Sequence, residues 1–178
     1  MKKIIYYVAT SIDGFIAGPN EDISGFVASG EGVNTYLEDL KDFKTVIMGR
    51  KTYEFGYKYG LVAGQPAYPH MQHYIFSLGL QFENQSSQVH ICKLEVDIVK
   101  DLKAKSETDI YMCGGGKFAG WLLDHELIDV VKIKFNPLVL GDGIRLFGTS
   151  KKPHQLKLLS SKAFEDGLTI NEYQIQYL

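Results

Sequence analysis

The first hydrophobic run, Lys3-Ile4-Ile5-Tyr6-Tyr7-Val8-Ala9, is apolar at odd and even positions alike. Such a run predicts a strand buried on both faces of a sheet, where neither parity meets water. It breaks into Thr10-Ser11-Ile12-Asp13-Gly14, a turn signature, and Phe15-Ile16-Ala17 follows. Residues 18–32 are glycine-rich, contain Pro19 and show no period, which predicts a long surface loop. From Asn34 to Phe43 the spacing becomes helical, with Asn34 as the cap and Tyr36, Leu37, Leu40 and Phe43 on one face. Thr45-Val46-Ile47-Met48 predicts a second strand ended by Gly49, and Lys51 to Tyr57 a short helix. Residues 59–70, with Gly60, Gly64, Pro66 and Pro69, read as loop. Tyr74-Ile75-Phe76 and Gln88 to Cys92 predict two more strands.

The same alternation continues with a helix over Val96–Lys105, a strand over Asp109–Met112 and a helix over Lys117–Leu127. Strands alternating with helices argue for a parallel sheet with right-handed crossovers. The last third changes character. Val131-Lys132-Ile133-Lys134-Phe135 alternates strictly, predicting an antiparallel strand with one buried and one solvated face, and Thr169–Tyr177 predicts another. The expected architecture is a three-layer α/β fold in one domain over residues 1–178, its mixed, mostly parallel sheet extended by antiparallel C-terminal strands.

Composition narrows the function. A hydrophobic content of 45% and a charged content of 22% belong to an ordinary globular chain. The formal net charge is −2 and no basic block occurs, so nucleic acid is not an expected partner. No stretch approaches the roughly 20 apolar residues of a membrane span. The apolar start is broken by Thr10, Ser11 and Asp13 and lacks a cleavage pattern, so the expected location is the cytoplasm. Two cysteines, Cys92 and Cys113, form no CxxC pair, and the five histidines are scattered; His125-Glu126 lacks the second histidine of a zinc helix. No metal site is expected.

Two strand-to-helix turns carry candidate chemistry: Val46-Ile47-Met48-Gly49-Arg50-Lys51-Thr52-Tyr53, and Ile110-Tyr111-Met112-Cys113-Gly114-Gly115-Gly116-Lys117-Phe118. Each runs through glycine into a helix N-terminus, where free N–H groups and the helix dipole favour an anion. Two readings stay open, a plain tight turn or a cradle for a phosphate. The pairing of three glycines in one turn with two cations in the other favours the cradle. Neither the Walker loop nor the dinucleotide fingerprint fits, since Tyr111 stands where the first Walker glycine belongs and Ala119 where the last fingerprint glycine belongs.

These turns, the Ser11-Ile12-Asp13-Gly14 segment after the first strand, and Asn136-Pro137-Leu138-Val139-Leu140-Gly141-Asp142-Gly143 occur in an order that resembles the dihydrofolate-reductase-like superfamily. The resemblance is strongest to the reductase domain of the riboflavin-biosynthesis deaminase-reductases and its stand-alone bacterial relatives. It implies an NADPH-dependent reductase of a small heterocycle, pyrimidine- or pteridine-like, and a homodimer, with Val131–Phe135 near the partner. The alternatives are another carbonyl or nitro substrate, or a nucleotide-binding module without turnover. Carried onto this chain, Ala9 and Ile16 would line the nicotinamide, Gly49 and Thr52 the diphosphate, and Arg50 the 2′-phosphate. Lys51, Lys117 and Phe118 belong to the same turns, Gly114, Gly115 and Gly116 would let the cofactor lie on bare backbone, and Ser77 would lie toward the adenosine. Where the family's folate reductases carry a carboxylate, this chain has Val33-Asn34. The candidate acids left are Asp13, which also fits a turn-forming role before Gly14, and Glu31; Glu38 and Asp39 read as a solvated helix face.

Overall fold

The computed structural model describes residues 1–177. Its elements are β1 (Ile4–Thr10), β2 (Phe15–Ala17), α1 (Glu31–Asp39), β3 (Thr45–Gly49), α2 (Arg50–Phe55), β4 (Gln72–Phe76), β5 (Val89–Cys92), α3 (Val96–Lys105), β6 (Ile110–Gly114), α4 (Gly116–Asp124), β7 (Val130–Phe135), β8 (Ile144–Arg145), β9 (Gln155–Ala163) and β10 (Thr169–Gln176). Eight strands form one sheet in the order β5-β4-β3-β6-β1-β7-β10-β9, while β2 and β8 pair separately. The strands from β5 to β7 are parallel, and β10 and β9 add on antiparallel. Alternate residues of the doubly buried strands fill two cores. Ile47, Met112, Val99, Phe118 and Leu122 lie on one face; Tyr7, Val46, Tyr111, Tyr53 and Leu40 lie on the other. This is the three-layer arrangement that the alternation predicts.

Several expectations are corrected. Val131–Phe135, which its alternation predicts to be antiparallel, runs parallel to β1 and antiparallel only to β10, inside the sheet. The edge on that side is β9, all nine residues of which are exposed; its polar, lysine-bearing sequence carries no clear hydrophobic period. Helix α1 begins at Glu31, ahead of the predicted Asn34 cap, and its last turn tightens into a 3-10 segment over Leu40–Asp42. Its cap position is Gly30, which has no side chain to offer. The helical N–H of Gly32 instead donates to Asp166 Oδ2 at 3.1 Å, from the hairpin joining β9 and β10. That partner lies 134 residues away, beyond the reach of any local capping rule.

Asn136 fixes the long loop after β2. It is fully buried at the end of β7, where its amide nitrogen donates to Thr10 O (3.3 Å) and Lys134 O (3.2 Å) and its oxygen accepts from Val27 N (2.9 Å). One side chain thus ties together β1, β7 and the loop. Asn136→Ala leaves the Val27 N–H without its acceptor and removes a donor from Lys134 O, while Thr10 O keeps the Asn136 backbone N–H at 2.8 Å; it is expected to cost about 2 kcal/mol. Chemical denaturation read by fluorescence checks this, with loop amides near Val27 losing hydrogen-exchange protection first.

Candidate active site

The two glycine turns meet because β3 and β6 are parallel neighbours, with Met48 opposite Gly114. Strand β6 runs one residue further than a turn at the glycines predicts: Gly114 is still strand, Gly115 caps α4 and Gly116 opens it. Contact between the turns is close. A Cβ on Gly115 would stand 2.8 Å from Thr52 Oγ1, and one on Gly114 3.3 Å from it. A Cβ on Gly49 would stand 3.3 Å from Phe118 Cβ. Gly114 also has φ +143°, which a side-chain-bearing residue rarely adopts.

A cavity of about 520 Å³ opens at this edge. It lies at the carboxyl ends of parallel strands, where ligands of open α/β sheets collect. Its polar rim holds Gly49, Arg50, Lys51 and Thr52 from one turn and Gly114, Gly115, Gly116 and Lys117 from the other. Its apolar walls include Val8, Ile16, Phe76 and Phe118. Phe118 is fixed in place by stacking on Phe76, ring centroids 4.8 Å apart, with Trp121 stacked beyond it.

Charge at the rim is positive. Arg50 Nε donates to Glu54 Oε1 at 2.7 Å, one helical turn away, leaving the guanidinium ends free to face an anion. Lys51 and Lys117 have no ion pair among the described residues. Among the described residues the only carboxylate lining the cavity is Glu21, on the loop after β2, and it meets Lys58 at 3.1 Å. That pair joins the loop wall of the cleft to the segment following α2.

Four expected residues lie elsewhere. Ala9 follows Val8 on β1, so its side chain points to the opposite face of the sheet, and Val8 is the β1 residue that lines the cavity. Ser77 lies just past β4, where its hydroxyl accepts from Gly79 N and Leu80 N and closes a turn; Phe76 supplies the wall. Asp13 borders a separate depression beside Gly14 and Arg145. The Ser11 hydroxyl and the N–H groups of Leu140 and Gly141 hold its carboxyl at about 2, so it stays ionised and braces the loop after β7 instead of supplying a proton. Glu31 is exposed on the first turn of α1, 3.5 Å from Lys162, and does not line the cavity.

The pattern also misleads on the α1 side. Asp39 does not face open solvent: it accepts from Tyr7 OH at 3.0 Å and from Lys132 Nζ at 2.8 Å. Lys134, read as solvent-facing on an alternating strand, is only 8% exposed. Cys113 lines the cavity as a neutral thiol, since burial pushes it up to about 12.

A family model described as the RibD C-terminal domain matches residues 2–170. The uncharacterized protein YwjB of Bacillus subtilis (strain 168) is 27% identical over 173 residues, covering 96% of this chain and 97% of that protein. A solved structure from Shewanella sp. PV-4, named for riboflavin biosynthesis, superposes with a TM-score of 0.81 at 23% identity, covering 99% of this chain and all of that one (100%). Dihydrofolate reductase from Enterococcus faecalis, solved as a complex with NADP(H) and RAB-propyl, gives a TM-score of 0.68 at 15% identity, with 98% and 97% covered.

Proposed function

The chain belongs to the RibD C-terminal domain family and has the dihydrofolate-reductase-like fold, and on that footing we propose that it is an NADPH-dependent reductase of a small pyrimidine- or pteridine-like heterocycle. One observation carries the reading. Two turns far apart in sequence, Gly49–Thr52 and Gly114–Lys117, converge on a single cleft that pairs a cationic, glycine-lined rim with an aromatic and aliphatic wall. A dinucleotide needs both halves, phosphate contacts at one end and an apolar surface for a flat ring at the other.

The residues present fit such a cofactor. Gly115 caps α4 and Gly116 opens it, so side-chain-free backbone stands at the helix start, where the helix dipole favours negative charge. Thr52 offers a hydroxyl beside them, Lys51 and Lys117 add charge, and Arg50, steadied by Glu54, offers a planar fork suited to a phosphate monoester. Val8, Ile16 and Phe118 would exclude water from the ring. When bound, NADPH supplies a hydride at that ring. Reduction also consumes a proton, and no carboxylate free of a partner faces the cleft among the described residues.

The test is direct. The purified protein is titrated with NADPH by nucleotide fluorescence, and dihydrofolate and a ribosylaminopyrimidinone are then added in turn while oxidation is followed. Binding with turnover of either supports the reductase; binding with neither oxidised favours a nucleotide-binding module; absence of binding removes the reading. Arg50→Ala is expected to weaken NADPH roughly 10- to 100-fold, the worth of a charge-assisted contact, and NADH less than about 2-fold. Equal losses for both would take the 2′-phosphate away from Arg50.

A further inference from the structure

The sheet parts at its carboxyl edge. Strands β1 and β6 keep register only from Ile4 opposite Ile110 to Tyr6 opposite Met112. Beyond that, β1 continues against β7 as far as Thr10 and Phe135, while β6 continues against β3. Val8 faces the cofactor cleft along this fork. Ala9 faces the other side, beneath α1, and its register partner there is Lys134.

Lys134 lacks what buried lysines ordinarily have. Its Nζ lies 4.5 Å from the centroid of the Tyr36 ring and keeps some contact with solvent, yet it donates no hydrogen bond and has no carboxylate oxygen within 4 Å among the described residues. Buried Lys103 is paired with Asp129 at 2.7 Å, and part-buried Lys132 with Asp39 at 2.8 Å.

Among the described residues, none of the groups facing Lys134 forms an ion pair with it, although Asp166 acts on it from a distance. From the β9–β10 hairpin comes Asp166, whose two oxygens are taken by Gly32 N and Leu168 N. From α1 comes Tyr36, kept neutral because burial pushes it up to about 12; its hydroxyl lies 2.6 Å from that of Tyr111 on β6. Tyr68 packs edge-on against Tyr111. Asp39 and Glu172 are committed to Lys132. Desolvation draws the ammonium below its ordinary value, with Asp166 opposing.

Lysine is almost never buried unless paired, and a ring face compensates only part of the lost hydration. The corner is not sealed: Ala9, Val33, Tyr36 and Tyr68 each keep partial exposure. We propose that Lys134 receives an anionic oxygen of the substrate, carboxylate or ring enolate, on the face of the sheet opposite the cofactor cleft. The substrate class is then an acidic, carbonyl-bearing heterocycle, and a basic ring that must be protonated to bind is disfavoured by the sign of the charge. This deepens the reductase reading and rests on it for the heterocycle.

The experiment measures equilibrium binding by calorimetry to three probes: orotate, which carries a carboxylate; barbiturate, which carries a ring enolate; and 2,4-diaminopyrimidine, which is basic. One or both anions are expected to bind at least 10-fold more tightly than the base, and whichever binds identifies the oxygen. Lys134→Met is expected to weaken that anion at least 10-fold, to leave NADPH affinity within 2-fold and to raise the melting temperature, since it removes a buried charge. A merely structural lysine would move stability alone. Lys134→Arg is expected to retain the preference for anions. Tighter binding of the base by the unmodified protein, or anion binding undiminished in Lys134→Met, would overturn the proposal. Anion binding through Lys134 in a protein that does not bind NADPH would uphold it and remove the reductase reading instead.

Discussion

Gly116→Ala is expected to lower NADPH affinity at least about 100-fold and to depress the melting temperature by several degrees. Helix α4 packs one face, Gly116 and Gly120, directly on the backbone of the 145–150 segment. A methyl group on Gly116 would collide with the Arg145 carbonyl oxygen and approach Gly148 N at 3.3 Å. Backbone cannot yield as a side-chain tip does, so the helix start or the segment must move. Overpacking of this kind costs about 1–3 kcal/mol, and a shift of an ångström in a positioning element can cost about 10²-fold. At this chain length each kcal/mol moves the melting temperature by about 2–4 °C. The control is Gly120→Ala, one turn further on, where a methyl would collide with the Phe147 carbonyl oxygen outside the cleft. It is expected to destabilise comparably while costing much less affinity. Fluorescence titration beside thermal unfolding separates the two; wild-type affinity in Gly116→Ala would remove that turn from the cofactor site.

The second large effect lies at the opposite end of the sheet. Asp129→Ala is expected to destabilise the fold by about 3 kcal/mol without changing NADPH affinity in the folded protein. Asp129 Oδ2 accepts from Lys103 Nζ and from Ile4 N, both at 2.7 Å, so one carboxylate joins α3, the start of β1 and the turn before β7. Lys103 is 8% exposed. Removing its partner leaves a buried ammonium with only the Leu127 carbonyl at 3.4 Å. Breaking a buried pair costs roughly 3–5 kcal/mol, and the lower end applies because 35% of the Asp129 side chain remains exposed. Denaturant unfolding measures the loss. Asp129→Asn, which keeps an acceptor for Ile4 N, is expected to lose less.

How much of this was legible beforehand depended on distance along the chain. Runs such as Ile4–Ala9 and Thr45–Met48 announce themselves because both faces of a central parallel strand must be apolar, a purely local condition. The glycine turns were visible for the same reason, since bare backbone is written directly in residue type. Pattern failed where burial comes from a remote partner. Lys132 and Lys134 alternate with apolar residues as a solvated face would, yet α1 and the β9–β10 hairpin cover them. The start of α1 was misplaced because its cap is Asp166, not a neighbour.

Sequence alone therefore determined the order of the helices and of the main-sheet strands other than β9, the fold class and the two glycine turns, each a property of a few consecutive residues. Tertiary structure decided which side chains share a cleft. It turned Val8 instead of Ala9 toward the glycines, committed Asp13 to a loop, withdrew Glu31 to the surface and left Lys134 largely covered without an ion pair among the described residues. The physical reason is that secondary structure answers to near-neighbour sterics and periodicity. Desolvation and charge pairing answer to whatever the folded chain brings within a few ångströms.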